Sequence, residues 1–351
     1  MRKTELQINL SNLENNLKVI ESKTSAEIQA VIKANAYGLD INEVCEVIDP
    51  YVESFAVITI DEALNLRKIT HKPILILQGV HEIEDYQKAR DFGLDFVIHS
   101  DWQMKIHQKF DFLVGTNRAW LKINTGMNRL GFSPDEFFER YQELIDMNFR
   151  DSTLIVMSHL ASSSEKSDTK NVEQIELFTN LTKDLDNKKS LANSGAIFNF
   201  KESHFDIVRP GIAIYGGKYM EHGIKPVTCL RSKITMLKNI KAGESVGYDS
   251  SWVAESDCII AGISIGYADG YPYSSESREV SINGKKFRTA GKINMDLITI
   301  NLEQDSSIKI GDWVELWGFN TNLTNFSKEL DSISYQLLTN ISGRVNKNYL
   351  E

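Results

Sequence analysis

The spacing of apolar positions changes character near residue 220. Upstream of it, short apolar runs alternate with stretches of helical period. Residues 4–10 alternate polar and apolar and predict a strand. A helix to about residue 22 follows, opened by Ser11-Asn12-Leu13-Glu14, which fits a capping box. From Ile28 onward, eight runs predict strands: 28–32, 55–59, 73–79, 95–99, 119–123, 154–157, 190–193 and 205–208. Helical stretches separate them. Thr59-Ile60-Asp61-Glu62, Ser100-Asp101-Trp102-Gln103 and Ser133-Pro134-Asp135-Glu136 read as helix starts, the last with Pro at its first helical position.

Strictly alternating strands and helices predict an α/β fold, a (β/α)8 TIM barrel rather than an open doubly wound sheet. No G-x-G-x-x-G follows the first strand, which further disfavours a dinucleotide fold. Beyond residues 217–226 the helical period gives way to short alternating strands. Gly243, Gly247, Gly266, Gly270, Gly291 and Gly311 punctuate them, and Ile282-Asn283-Gly284 signals a hairpin. The expected organisation is a barrel over 10–222 and a C-terminal all-β domain over 223–351. The N-terminal strand, 1–9, has no barrel partner in this count and is expected to join the β domain.

Composition narrows the function classes. A chain of 351 residues has room for two domains. The net charge of −9 argues against nucleic acid as a partner, which needs clustered Lys and Arg. No apolar run approaches membrane-spanning length, and the basic N-terminus lacks the apolar core of a signal peptide. Cys45, Cys229 and Cys258 form no CxxC and no metal-like cluster. A cytoplasmic protein without membrane, nucleic-acid or metal partner is expected.

In a barrel, chemistry gathers where strands end. Lys33, Arg129, His159, Asn193, Ser194 and Arg209 all lie at such exits. Burial would lower the pKa of Lys33 and make it a base or Schiff-base amine; read alone, it equally marks where a strand emerges into water. Arg209-Pro210-Gly211-Ile212 could present the Gly211 and Ile212 amides to a phosphate, or be a plain structural turn. Asn193-Ser194-Gly195 could add a hydroxyl and amides, or cap a helix. His159 alone is a structural histidine as readily as a catalytic one, and Arg129 and Lys122 could be ordinary surface or paired charges. In the β domain, Tyr248 and Tyr267 sit in glycine-flanked turns, Met295 precedes Asp296, and Tyr335 lies near the C-terminus. A free tyrosine titrates near 10, so each reads singly as an edge aromatic.

Taken as a set, these motifs resemble the alanine racemases. Val31-Ile32-Lys33-Ala34-Asn35-Ala36-Tyr37-Gly38, Asn124-Thr125-Gly126-Met127-Asn128-Arg129-Leu130-Gly131, Arg209-Pro210-Gly211-Ile212, Val246-Gly247-Tyr248 and Gly266-Tyr267-Ala268-Asp269-Gly270 recur in order over nearly the whole chain. The resemblance implies a barrel that binds pyridoxal 5′-phosphate (PLP), a β domain, and a head-to-tail homodimer with shared active sites acting on a small amino acid. It implies Lys33 as the lysine that holds PLP and one catalytic base, with Tyr248 of the other subunit as the second. Arg209 would face the pyridine nitrogen, and His159 would link Tyr248 to Arg209. Tyr37, Asn193, Ser194, Gly211, Ile212 and Tyr335 would bind the cofactor. Arg129 would contact cofactor and substrate carboxylate, Met295 that carboxylate, and Tyr267 would narrow the entrance. Lys122 matches a lysine that some members carry carbamylated. Asn124, Leu39, Tyr273, Lys292, Asn346 and Lys347 depart from the family pattern, and several of these concern the entrance. The expected activity is L-/D-alanine interconversion, with D-alanine serving peptidoglycan precursors. A serine or broad-specificity racemase, a fold-type III decarboxylase and a non-catalytic PLP carrier are the rivals.

Overall fold

The computed structural model describes residues 3–109, 117–150 and 152–351. Met1 and Arg2 of the expected N-terminal strand lie outside the described residues. The chain divides into two compact units. One comprises residues 14–214 and 221–223; the other comprises 1–13, 215–220 and 224–351.

The N-terminal strand β1 (Thr4–Asn9) is followed by the eight strands of the first unit: β2 (Glu27–Val31), β3 (Ser54–Val57), β4 (Ile74–Ile76), β5 (Asp95–Ile98), β6 (Ala119–Lys122), β7 (Leu154–Met157), β8 (Lys189–Ser190) and β9 (Ile207–Val208). They form one parallel sheet in the order β8-β7-β6-β5-β4-β3-β2-β9. A parallel bridge between Asn193 and Arg209 joins the two ends, so the sheet closes into the expected barrel. Strands β3 to β7 are buried at every position. Helices cover the outer face and side chains fill the interior, which is why these strands read as unbroken apolar runs. At the N-terminal end, the buried Asp95 carboxylate accepts from Arg118 N (2.9 Å), Arg118 Nε (2.8 Å) and Trp120 Nε1 (3.4 Å), clamping β5 to β6.

Two helix starts differ from expectation. The first helix begins at Leu10, and Asn9 caps it by accepting from Asn12 N at 2.7 Å. Ser11 is therefore inside the helix, and Glu14 pairs with Lys18 and Tyr51 rather than with a capping serine. At Ser100, the Gln103 carboxamide accepts from His99 N (2.8 Å) and no side-chain cap forms. The Ser133/Glu136 capping box is present, with Pro134 opening the helix.

The second unit is built on β10 (Thr228–Ile240), β11 (Ser245–Val246), β12 (Trp252–Val253), β13 (Cys258–Ile263), β14 (Glu279–Ile282), β15 (Lys285–Thr289), β16 (Ile298–Asn301), β17 (Trp313–Trp317) and β18 (Asn346–Leu350). The long strand β10 pairs with β17 along its first half and with β13 along its second. The pairings β13-β16-β15-β14-β17 thereby return to β10 and form a closed ring. Strand β1 extends this sheet, antiparallel to β10 and parallel to β18. The β14–β15 turn has Asn283 and Gly284 at φ 50° and 79°, the two left-handed positions its sequence signals. The antiparallel β domain also carries two short helices, Leu323–Glu329 and Ser334–Thr339, which the strand-like period did not announce. Among the described residues no helix is long and apolar enough to cross a membrane.

Candidate active site

Strand β2 leaves the barrel at Lys33 and enters an unusual turn. Ala34, Asn35, Ala36 and Tyr37 have φ of 53°, 52°, 55° and 54°, and Gly38 follows at 83°. A left-handed turn of L-residues costs roughly 1–2 kcal/mol per residue, so outside contacts must hold it. Asn35 Oδ1 accepts from Ile41 N (2.9 Å), and the Ala34 N–H donates to Glu62 Oε1 (2.8 Å). The turn buries the Tyr37 ring and leaves Lys33 half-buried.

Around Lys33 the barrel mouth collects positive charge. Burial, then Arg129, lower the Lys33 pKa; Glu62 opposes them. Lys122, the last residue of β6, is pushed down to about 7 by burial and by Arg209, Arg129 and Lys33. Arg209 is buried, and burial lowers it to about 9, still cationic at neutral pH. Its guanidinium donates to Ser190 Oγ, Ser158 O (2.6 Å), Leu191 O (3.3 Å) and His159 Nδ1 (3.4 Å), none of them a carboxylate. His159, at the exit of β7, also has Asn193 Nδ2 at 3.2 Å from Nε2. The Asn193 Oδ1 is taken by Ser163 Oγ (2.5 Å) and Ala196 N (3.2 Å), so its amide hydrogens face the ring. Burial above all, then the charges of Arg209, Lys122, Arg129 and Lys33, hold His159 neutral, its pKa well below the usual value. A neutral ring accepts at one nitrogen only, so it takes a hydrogen bond from either Arg209 or Asn193 and keeps its own N–H on the other side.

An anion cradle adjoins this cluster. Ser194 Oγ accepts from Gly211 N (2.9 Å) and Ala213 N (3.4 Å), which leaves its own hydrogen to donate. A Cβ on Gly211 would stand 2.4 Å from Tyr37 Oη, so a glycine here is what lets that hydroxyl reach the turn. Ile212 is buried behind it, and Val31 N donates to Pro210 O (2.9 Å), stitching the turn to β2.

The Arg129 loop is fixed by its own first residue. Asn124 Oδ1 accepts from Gly126 N (3.2 Å) and Asn128 N (2.9 Å), so the asparagine in place of aspartate still folds the loop. Gln174, buried on a helix, donates to Thr125 Oγ1 (3.2 Å) and His159 O (3.1 Å) and accepts from Ala161 N (2.9 Å). It thus ties the Arg129 loop to the His159 segment.

Lys33, Tyr37, Lys122, Arg129, His159, Asn193, Ser194, Arg209, Gly211 and Ile212 all lie in the barrel unit, at the C-terminal ends of its strands. The other four candidates lie in the β unit. Tyr248 is 69% exposed, on a turn where Asp249 and Ser250 also have positive φ. An ion pair from Asp249 to Lys292 (2.6 Å) anchors that turn. The Tyr267 and Ala268 amides donate to Asn294 O and Met295 O, both at 3.1 Å, so Tyr267 and Met295 lie on adjoining loops. Tyr335 is in the short helix Ser334–Thr339, partly exposed.

Sequence reasoning missed Glu62, Gln174, Ser158 and Ser190. Glu62 was visible only as a helix-start residue, and Gln174 sits in a polar helix with no local motif. Among the described residues no group of three His, Cys, Asp or Glu could hold a metal ion.

A closed parallel barrel with a cationic mouth and a hydroxyl-and-amide cradle is the frame of a barrel enzyme for small anionic ligands. Residues 8–219 match the family described as alanine racemase, N-terminal domain, and residues 227–349 match alanine racemase, C-terminal domain. The alanine racemase of Vesicomyosocius okutanii subsp. Calyptogena okutanii is 39% identical over 97% of each chain. The biosynthetic alanine racemase of Pseudomonas aeruginosa superposes with a TM-score of 0.94 at 32% identity, covering 100% of both chains. The Bartonella henselae alanine racemase, solved with covalently bound pyridoxal phosphate, has a TM-score of 0.88 at 30% identity over 100% of both chains. The chain belongs to the alanine racemase family.

Proposed function

We propose that the chain interconverts L- and D-alanine with PLP held on Lys33. The observation that carries this reading is the barrel mouth itself. Lys33, Lys122, Arg129 and Arg209 converge there beside a cradle of Tyr37, Ser194 and Gly211. A dianionic phosphate fits the cradle, because Ser194 offers a hydroxyl hydrogen, the Tyr37 hydroxyl stands at the same turn, and Gly211 keeps the approach open. Asn193 and Ile212 complete its wall, and Tyr335 is assigned to the same cofactor.

When bound, PLP supplies the carbonyl that condenses with an amino group and the electron sink that acidifies Cα. Arg209 would hold the pyridine nitrogen of PLP and, remaining cationic at neutral pH, would keep that nitrogen unprotonated. Arg129 and Met295 receive the substrate carboxylate, and Tyr267 limits side-chain size. Lys33 Nζ takes or returns the α-proton on one face, helped by its lowered pKa. Tyr248 Oη does so on the opposite face, from the second subunit of a homodimer, with neutral His159 relaying between its phenol and Arg209. The D-alanine formed serves peptidoglycan precursors in the cytoplasm. The decarboxylase alternative requires a reactive cysteine, whereas burial raises the pKa of the Cys258 thiol.

Chiral chromatography of the PLP-loaded protein incubated with L-Ala, L-Ser, L-Lys and L-Arg tests the reading. Fast appearance of D-Ala alone is expected. Faster conversion of another amino acid would move the specificity and implicate Tyr273 and Lys292. No D product with PLP bound would sink the chemistry.

Lys122 is proposed to carry a carbamate. At a pKa of about 7 a large share of its amine is neutral and nucleophilic toward CO2, the N–C bond forming as one proton leaves to water. The resulting anion would sit among Arg209, Arg129 and Lys33. Isotope-labelled bicarbonate should give a protein-bound carbamate carbon signal by NMR that Lys122→Ala removes; a signal unchanged in that variant would refute the assignment.

A further inference from the structure

We infer that Glu62 is a positioning residue that locks the left-handed turn after Lys33 and so sets the aim of the lysine. The inference rests on the reading of Lys33 as the PLP lysine. Glu62 is in the first turn of the helix Ile60–Arg67, where Thr59 Oγ1 accepts from its N–H at 3.3 Å. In a capping box its carboxylate would turn back to the Thr59 amide. It goes elsewhere. Oε1 accepts from Ala34 N and Oε2 from Ile58 N, each at 2.8 Å. One carboxylate therefore joins the exits of two neighbouring strands, β2 immediately after Lys33 and β3 immediately after Val57.

The need for such a tie follows from the backbone. The turn from Ala34 to Tyr37 is left-handed at four successive non-glycine residues. Its internal bonds begin at Ala36, whose N–H donates to Ile32 O (3.0 Å). The Ala34 amide, next to the lysine, is held by the Glu62 carboxylate. Charge-assisted bonds to two backbone amides are the stronger kind and fix both exits together. The charges that act on Lys33 are Arg129 and Glu62, with Lys122, Arg209 and His159 in the same cluster. Among the described residues Glu62 is the carboxylate that acts on it, and a carbamate on Lys122 would add a second negative charge in that cluster. The same carboxylate thus holds the turn and offsets the surrounding cations.

Glu62→Gln separates this role from simple stability. The carboxamide has one acceptor oxygen, and its NH2 faces the second amide as donor against donor. PLP should still be fixed to Lys33 by borohydride in this variant. Its kcat should fall by about 10- to 100-fold with KM within about twofold, the loss expected from a misplaced reacting group. The acid limb of its pH–kcat profile, which reports the substrate complex where the Lys33 amine is free, should move to lower pH, because removing a negative charge makes that amine easier to deprotonate. Backbone deuterium exchange over 33–38 should speed up, an effect read without turnover. Glu62→Asp keeps the charge but shortens the reach, so it should speed exchange with little pH shift. A folded Glu62→Gln with unchanged kcat and exchange would overturn the inference, even with a lower Tm. So would fast exchange at Ala34 in the wild-type protein, which decides the matter should the variant not fold. Absence of borohydride-fixed PLP on wild-type Lys33 is a different failure, of the functional reading itself, and the inference falls with it.

Discussion

Replacing Lys33 by alanine is expected to abolish racemisation and covalent retention of PLP together. The amine is unique in its placement. It lies two residues beyond the end of β2, stands half-buried in the barrel mouth, and has its pKa lowered by burial and by Arg129. Lys122 is the other lysine of the cluster, but it is the last residue of β6 and is more deeply buried. The cradle of Tyr37, Ser194 and Gly211 does not depend on Lys33, so PLP should still associate, reversibly, through its phosphate. Two effects are therefore separable. Borohydride followed by peptide mapping should find no modified lysine in Lys33→Ala, while dialysis should show weakened but measurable PLP binding. Turnover should drop by at least about a thousandfold, since a general base and the covalent anchor are removed at once. PLP fixed to Lys122 in the variant, with activity kept, would transfer both roles to that residue.

The barrel was legible because its strands are short, apolar and buried throughout, and because cationic and small polar residues mark their exits. Each expected strand, from β2 to β9, is present; β7 coincides with its expected range and the others are shifted at one or both ends by one to three residues. The turn after Lys33 was not legible. Lys-Ala-Asn-Ala-Tyr contains good right-handed helix formers, and nothing local says that the backbone runs left-handed. That conformation is held by Glu62 from a separate helix, by the bond from Ile41 N to Asn35 Oδ1 and by the burial of Tyr37. The same holds for Gln174, whose three bonds reach the β6 and β7 exits from a helix with no motif. Local sequence also misplaced the first cap. Ser11 is followed by Glu14 as a capping box requires, yet Asn9 lies closer to the strand's end and captures the Asn12 amide. The helices Leu323–Glu329 and Ser334–Thr339 span under two turns each, too few residues for a period to declare itself. The candidate site was legible as residue identities. Its electrostatics were not, because the low pKa of Lys122 and His159 arises first from burial and then from cations, both set only when the barrel closes.

Tyr248→Phe should retain PLP and lose most activity in both directions, more severely with L-alanine as substrate. To act as a base at neutral pH, a tyrosine needs surroundings that stabilise its phenolate. On its own chain Tyr248 stands exposed on a turn held by the Asp249–Lys292 pair, and among the described residues no arginine is bonded to it. What it lacks is a cationic, water-poor setting, and in the proposed homodimer the barrel mouth of a second subunit would supply one through His159 and Arg209. Near-normal turnover of the phenylalanine variant would remove Tyr248 from the mechanism. The subunit assignment has its own test in the mixing of two inactive variants. If Lys33→Ala and Tyr248→Phe chains form dimers at random, about half are mixed, and each mixed dimer has one site with both wild-type residues. Activity should then recover to about one quarter of the wild-type value, since a C2 dimer with shared sites carries two per assembly. Sites built within single chains would give no recovery, because every chain then lacks one of the two bases. Recovery that rises with the time allowed for subunit exchange would locate Tyr248 across the interface from Lys33, and its absence after demonstrated exchange would return both bases to one chain.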